Sequence, residues 1–182
     1  MLKHVFDTPA HHTPRPPHSI IRHIMKNSKS LLLFVALACF ALLGAALYLQ
    51  LVEHMLPCPL CIIQRYAFAL VGLLCLLAAL LPMGPGKVAA GLAGLIALAG
   101  VGTAGWHIWV QAHPGVSCGI DPLETALNTI PTATLLPILF KADGLCATPY
   151  APILGLSIPQ WSLLWFVLFV VVLARVVIKG NR

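Results

Sequence analysis

The chain has 182 residues, 59% of them hydrophobic and only 9% charged, with a formal net charge of +6 and a mean hydropathy of +0.93. A soluble domain carries about 25% charged residues, so this composition excludes a water-facing globule and places the chain in a bilayer. The basic residues flank apolar runs and form no stripe interleaved with aromatics, which excludes a nucleic-acid surface.

Residues 1–30, MLKHVFDTPAHHTPRPPHSIIRHIMKNSKS, are polar, basic and broken by prolines. They offer little apolar surface to bury and read as a disordered basic tail. Five of the eight histidines lie there, without the spacing of a metal site. The rest, 31–182, reads as one membrane domain. Its first span, about residues 31–51, is longer than a signal-peptide core and lacks a clear cleavage site, so it is retained. The second span covers about residues 62–81 and ends at PMGPGK, whose prolines and glycines predict a tight turn. The third, about 88–111, is rich in small residues (Gly91, Gly94, Gly100, Gly102, Gly105), which allow close helix packing in lipid. A proline-rich loop follows over about 112–160, and the last span is about 161–178. The fold class is all-α: a bundle of four transmembrane helices.

Orientation follows from lysine and arginine placement. Lys3, Arg15, Arg22, Lys26, Lys29, Lys87, Arg175, Lys179 and Arg182 fall on one side, nine of the eleven basic residues. That side is cytoplasmic and holds both termini. The opposite side carries Glu53, Asp121, Glu124 and Asp143, with Arg65 and Lys141.

This topology decides the cysteine chemistry. Cys58 and Cys61 fall in the first outer loop, and Cys118 and Cys146 in the second. All four face the non-cytoplasmic side, where thiols can be oxidised. Cys39 and Cys75 lie within spans and read as small packing hydrophobes.

Cys58 and Cys61 stand in PCPLCIIQR, the spacing of a redox dithiol and also of half a zinc site. Pro59 suits the first turn of the second helix, which puts Cys61 near the helix's partially positive end, where negative charge is favoured. Arg65 lies four residues on, on the face of that sulfur. A buried arginine needs a partner; a Cys61 thiolate or the anion of a bound cofactor would serve, unless the side chain simply snorkels to the headgroups. Cys118 and Cys146 bracket a flexible loop, and their bridge could be a staple or, beside a second dithiol, one stage of a relay. The loop segment TATLLPILF is apolar enough to lie on the membrane surface. No haem-attachment, GxGxxG or iron–sulfur pattern offers the electrons an exit. An apolar carrier docking near Cys61, Arg65 and His107 would need none. At the same level stand Gln50, Tyr48, Tyr66, Trp106, Trp109, Trp161 and Trp165.

These residues resemble the DsbB family of disulfide bond formation proteins. The likeness rests on CPLCIIQR, GWHIWVQ, VSCGID, DGLCATP and PQW, and covers about residues 31–178. It implies a bacterial inner-membrane enzyme that reoxidises a DsbA-like periplasmic thiol oxidase. By the resemblance, Cys118–Cys146 accepts the partner's electrons, with Cys118 forming the mixed disulfide. Cys146 then exchanges with Cys58, and Cys61 reacts with ubiquinone or menaquinone beside Arg65, with His107 and Gln50 as further quinone contacts. An acidic residue that some relatives carry in the first helix has no counterpart here; the matching position is Leu43.

Other classes fit less well. In vitamin K epoxide reductase-like oxidases the loop cysteines precede the CxxC pair, and here they follow it. A zinc site built from the four outer cysteines lacks a second close ligand pair, so no metal is expected. A paralogue dedicated to one thiol oxidase shares every feature above. A disulfide-stapled scaffold without activity would not need Arg65 beside Cys61.

Overall fold

The structure is a computed structural model that describes residues 17–113, 115, 120–147 and 150–179. Among these, α1 (Pro17–Leu51), α2 (Pro59–Leu80), α3 (Met83–Ala112) and α7 (Ile158–Lys179) are the long helices. Three short ones, α4 (Ile120–Asn128), α5 (Pro131–Leu135) and α6 (Pro137–Phe140), lie between α3 and α7. The long helices contain four segments apolar enough to cross a membrane: Ser28–Leu51, Pro59–Leu80, Gly84–Ala112 and Ile158–Ile178. Four successive crossings return the chain to its starting face, as the charge pattern requires. Exposed leucines such as Leu37, Leu80, Leu95 and Leu98 form the lipid-facing surface.

Two boundaries differ from the sequence reading. The tail drawn over residues 1–30 falls outside the described residues up to 16, but from Pro17 the chain is helical. After Pro17, well suited to a first helical turn, no further proline interrupts the run into the first span. The turn expected at PMGPGK is tighter than its composition suggests. Leu81 caps α2, Pro82 caps α3, and Gly84, Pro85 and Gly86 already belong to α3. Proline is tolerated there because first-turn N–H groups have no partner within the helix. Gly86 must be small, since a Cβ would lie 2.8 Å from the Ala78 carbonyl oxygen.

The core runs between α1, α2, α3 and α7. Phe68 stacks on Phe166 at 4.1 Å between ring centroids and meets Phe169 edge-on. Cys39 and Cys75 are fully buried free thiols in this core. Of the five glycines in the third span, Gly100 packs most closely: a Cβ there would sit 2.5 Å from the Phe166 ring. Gly91, Gly102 and Gly105 have nothing within 4 Å of the same position. Gly100→Ala is therefore expected to destabilise the bundle by about 1–3 kcal/mol through overpacking against a fully buried ring. Thermal unfolding in detergent checks this, with Gly102→Ala as the comparison that should leave the midpoint nearly unchanged.

Candidate functional site

The site is built around the first turn of α2. Cys58 is the N-cap, with extended backbone (φ −78°, ψ 164°), and its sulfur accepts the Cys61 N–H at 3.3 Å. Pro59, at the first helical position, gives up an N–H that would have had no helical partner. The cap folds the two side chains toward each other and leaves the sulfurs 2.9 Å apart, both as free thiols. Cys58 is 2% exposed and Cys61 is half-buried. The Cys58 thiol donates to Cys61 Sγ, and that bond together with burial pushes the Cys58 thiol well above the ordinary range. Cys58 therefore keeps its proton while Cys61 is the acceptor of the pair.

His107 on α3 closes the site from the other side. Its Nε2 lies 3.7 Å from Cys58 Sγ, and its Nδ1 is 3.3 Å from Gln64 Nε2. Both side chains are buried, His107 at 2% and Gln64 at 4% exposure. A carboxamide can serve either imidazole tautomer. With its NH2 toward Nδ1, Gln64 holds the ring proton on the nitrogen facing Cys58. Turned over, it accepts from Nδ1–H and leaves Nε2 with a free lone pair. Gln64 was not singled out in the sequence, although it stands three residues after Cys61, on the same helical face. An amide inside an otherwise apolar span must find a partner, and that was the available signal.

Arg65 is 7% exposed and is held by three neutral oxygens. Its guanidinium donates to Gln50 Oε1 at 2.7 Å and Ala46 O at 3.3 Å on α1, and to Leu139 O at 3.1 Å in α6. It neither snorkels nor depends on a thiolate for its hydrogen bonds. Neutral acceptors fix the fork and leave the positive charge to act on the space beside Cys61. Gln50 meets that space and also clamps the arginine.

The second outer loop is fastened over this site. Asp143 N and Gly144 N both donate to Pro57 O, at 3.0 and 3.1 Å. Asn128 bridges the N–H and C=O of Ala142 at 2.9 and 3.0 Å. Tyr66 hydrogen-bonds Thr132 and stacks on Phe140 at 4.3 Å. Gly144 is required here: a Cβ would lie 2.5 Å from Leu56 O. In the apolar segment Leu135, Leu136 and Ile138 are exposed and Ala133 and Phe140 are turned inward. Cys146 is disulfide-bonded, fully buried and clustered with Cys58, Leu60 and Val110. Cys118 lies outside the described residues.

A cavity of about 480 Å³ opens beside the dithiol, within the range of small-molecule sites. Cys58, Cys61, Gln64, Arg65, His107 and Gln50 are among its polar lining. Leu42, Leu43, Leu49, Phe68 and Ile158 are among its apolar lining. Of the aromatic residues at this level, Trp161 and Trp165 face the cavity. Tyr48, Trp106 and Trp109 are exposed, the last two stacked at 4.8 Å on the outer surface, as expected of an interfacial belt. The arrangement joins a buried disulfide, a closely spaced dithiol and an apolar chamber with one fixed cation.

The family model described as disulfide bond formation protein DsbB matches residues 28–176. A disulfide bond formation protein B of Herminiimonas arsenicoxydans is 65% identical over 143 residues, covering 79% of this chain and 90% of that protein. Proteins of the same name from Cupriavidus metallidurans and Ralstonia nicotianae are each 46% identical over 156 residues. Those two alignments cover 86% of this chain, and 96% and 98% of the respective relatives.

Proposed function

This chain belongs to the DsbB family of disulfide bond formation proteins, a multi-pass inner-membrane disulfide oxidoreductase, and we propose that it carries electrons from a DsbA-like thiol oxidase through Cys118–Cys146 and Cys58–Cys61 to ubiquinone or menaquinone. The observation that supports this order is that Cys146 and Cys58 are buried together in one cluster, while Cys61 is half-buried where all three line the cavity beside Arg65.

The first exchange is a thiolate attack by the reduced partner on Cys118, which expels Cys146 as a thiolate. The partner's second thiol then releases Cys118, so the partner leaves oxidised and the loop pair is reduced. Cys146 is placed to attack Cys58 of an oxidised Cys58–Cys61 bond and to expel Cys61. Cys118 closes on Cys146 and frees Cys58. Two electrons and two protons have now moved from the loop pair to the α2 pair. His107 Nε2, against Cys58 Sγ, holds a proton at that sulfur when Gln64 stabilises the matching tautomer.

The chamber suits a flat apolar acceptor with oxygen atoms at its edge. Its lining is mostly apolar, with Cys61, Gln64, Arg65 and His107 among its polar members. A quinone bound there supplies a two-electron, two-proton sink. Arg65 and Gln50 would hold its oxygen, with Trp161 and Trp165 along the ring.

Arg65→Met tests the assignment. Losing one charge-assisted hydrogen bond costs about 1.5–3 kcal/mol, so the KM for quinone should rise about 10- to 100-fold while the KM for the reduced partner changes little. The readout is the fall of quinone absorbance with a purified, reduced thioredoxin-like protein as donor. An unchanged dependence on quinone concentration would remove Arg65 from the acceptor site.

A further inference from the structure

We propose that the reduced Cys58–Cys61 pair and His107 form a binding site for a soft, thiophilic divalent cation of the zinc and cadmium class. The sequence offers only half a metal motif at CPLC; the fold brings the third ligand from α3. Cys58 Sγ, Cys61 Sγ and a His107 ring nitrogen all lie within 4.8 Å of one another. Ligand bonds of about 2.3 Å to sulfur and 2.0–2.1 Å to nitrogen place tetrahedral donors roughly 3.5–3.8 Å apart. The Cys58–His107 separation of 3.7 Å already meets that spacing. The sulfurs, at 2.9 Å, need only open slightly by side-chain rotation.

The surroundings suit such an ion. Gln64, in its turned-over orientation, accepts from Nδ1–H and presents Nε2 as the donor atom, the outer contact that metal-bound histidines ordinarily have. Soft thiolates select this class over calcium or magnesium. Each thiol loses one proton on binding, so two thiolates and a divalent ion sum to zero charge in a buried place beside Arg65. All three ligand residues line the cavity, which leaves room for a water or ligand in the fourth position, as in zinc sites that keep one open. When Cys58 and Cys61 form their disulfide, neither sulfur is a thiolate and the site disappears. Metal affinity is therefore gated by the redox state of the pair, and a bound ion holds both sulfurs away from disulfide formation.

The site rests on geometry alone; only its consequence for turnover rests on the proposed electron route. The test therefore reads the metal directly, without quinone or partner protein. Full-length protein carrying Cys118→Ala and Cys146→Ala, reduced and freed of reductant under argon, is titrated with cadmium chloride. A cadmium–thiolate charge-transfer band should grow to one ion per chain, and the oxidised form should show none. His107→Ala and His107→Gln should each weaken binding at least about tenfold, and Gln64→Leu about tenfold. A band that survives Cys58→Ser unchanged, or affinities in both His107 variants within twofold of the background, assigns the metal to other thiols and overturns the site. Partner-driven quinone reduction at the parent rate in this Cys118→Ala, Cys146→Ala protein, with cadmium binding intact, would count against the electron route and leave this site standing.

Discussion

Cys118→Ala is expected to lower partner-driven quinone reduction to background while leaving quinone reduction driven by a small dithiol such as dithiothreitol. The loop pair and the α2 pair have different surroundings. Cys146 is buried against Cys58, under a loop fastened by the Pro57 carbonyl and Asn128. Cys61 is half-buried on the chamber that Cys58 and Cys146 also border. A folded partner cannot enter that chamber, so its electrons need an entry cysteine in the second loop; a small dithiol can reach Cys61 directly. Removing the entry cysteine separates the two half-reactions. Partner oxidation at the parent rate in this variant would reverse the proposed direction of flow.

The membrane architecture was legible in the sequence because it follows from transfer energetics. Runs of leucine, valine and alanine long enough to cross a bilayer have few other places to go, and the lysine and arginine bias then orients them. The CxxC pair was legible too, since Pro59 and Cys58 act through local capping geometry that a few residues determine. What could not be read was contact between helices. The acceptors of Arg65 are a glutamine and a carbonyl on α1 and a carbonyl in α6, and no spacing within α2 announces them. The apposition of His107 to Cys58 depends on how α3 is rotated against α2. A single histidine in an apolar span cannot specify that rotation. The glycines of α3 show the same limit from the side of packing. The five in the third span all permit close approach, yet Gly100 alone meets a ring, because Phe166 stands opposite it. Seven side chains shared the level of the proposed acceptor, and rotation about the helix axes left Gln50, Trp161 and Trp165 on the cavity.

Cys61→Ser should abolish quinone reduction from every donor, small dithiols included, because it removes the most exposed of the sulfurs that line the chamber, the one proposed to react with the quinone. The chain is then expected to accumulate Cys146 bonded to Cys58, formed when the Cys58 thiolate attacks the loop disulfide at Cys146 and expels Cys118 as a thiol. In the parent, Cys61 is the internal nucleophile nearest Cys58, at 2.9 Å between sulfurs, and closes the α2 disulfide. A serine hydroxyl cannot complete that exchange, so the Cys58–Cys146 bond can be released only by return of Cys118. Proteolysis between the first and second outer loops, followed by non-reducing mass analysis, should recover a peptide pair linking Cys58 to Cys146. The same digest of Cys58→Ser should lack it. Serine at position 61 also loses the thiol that accepts from Cys58, so the burial that raises the Cys58 pKa acts without that acceptor. The linkage should consequently form more readily as the pH is raised, when more Cys58 is ionised. Quinone reduction at even a tenth of the parent rate in Cys61→Ser would place the terminal sulfur elsewhere, and the chamber beside Arg65 would lose its claim to be the exit.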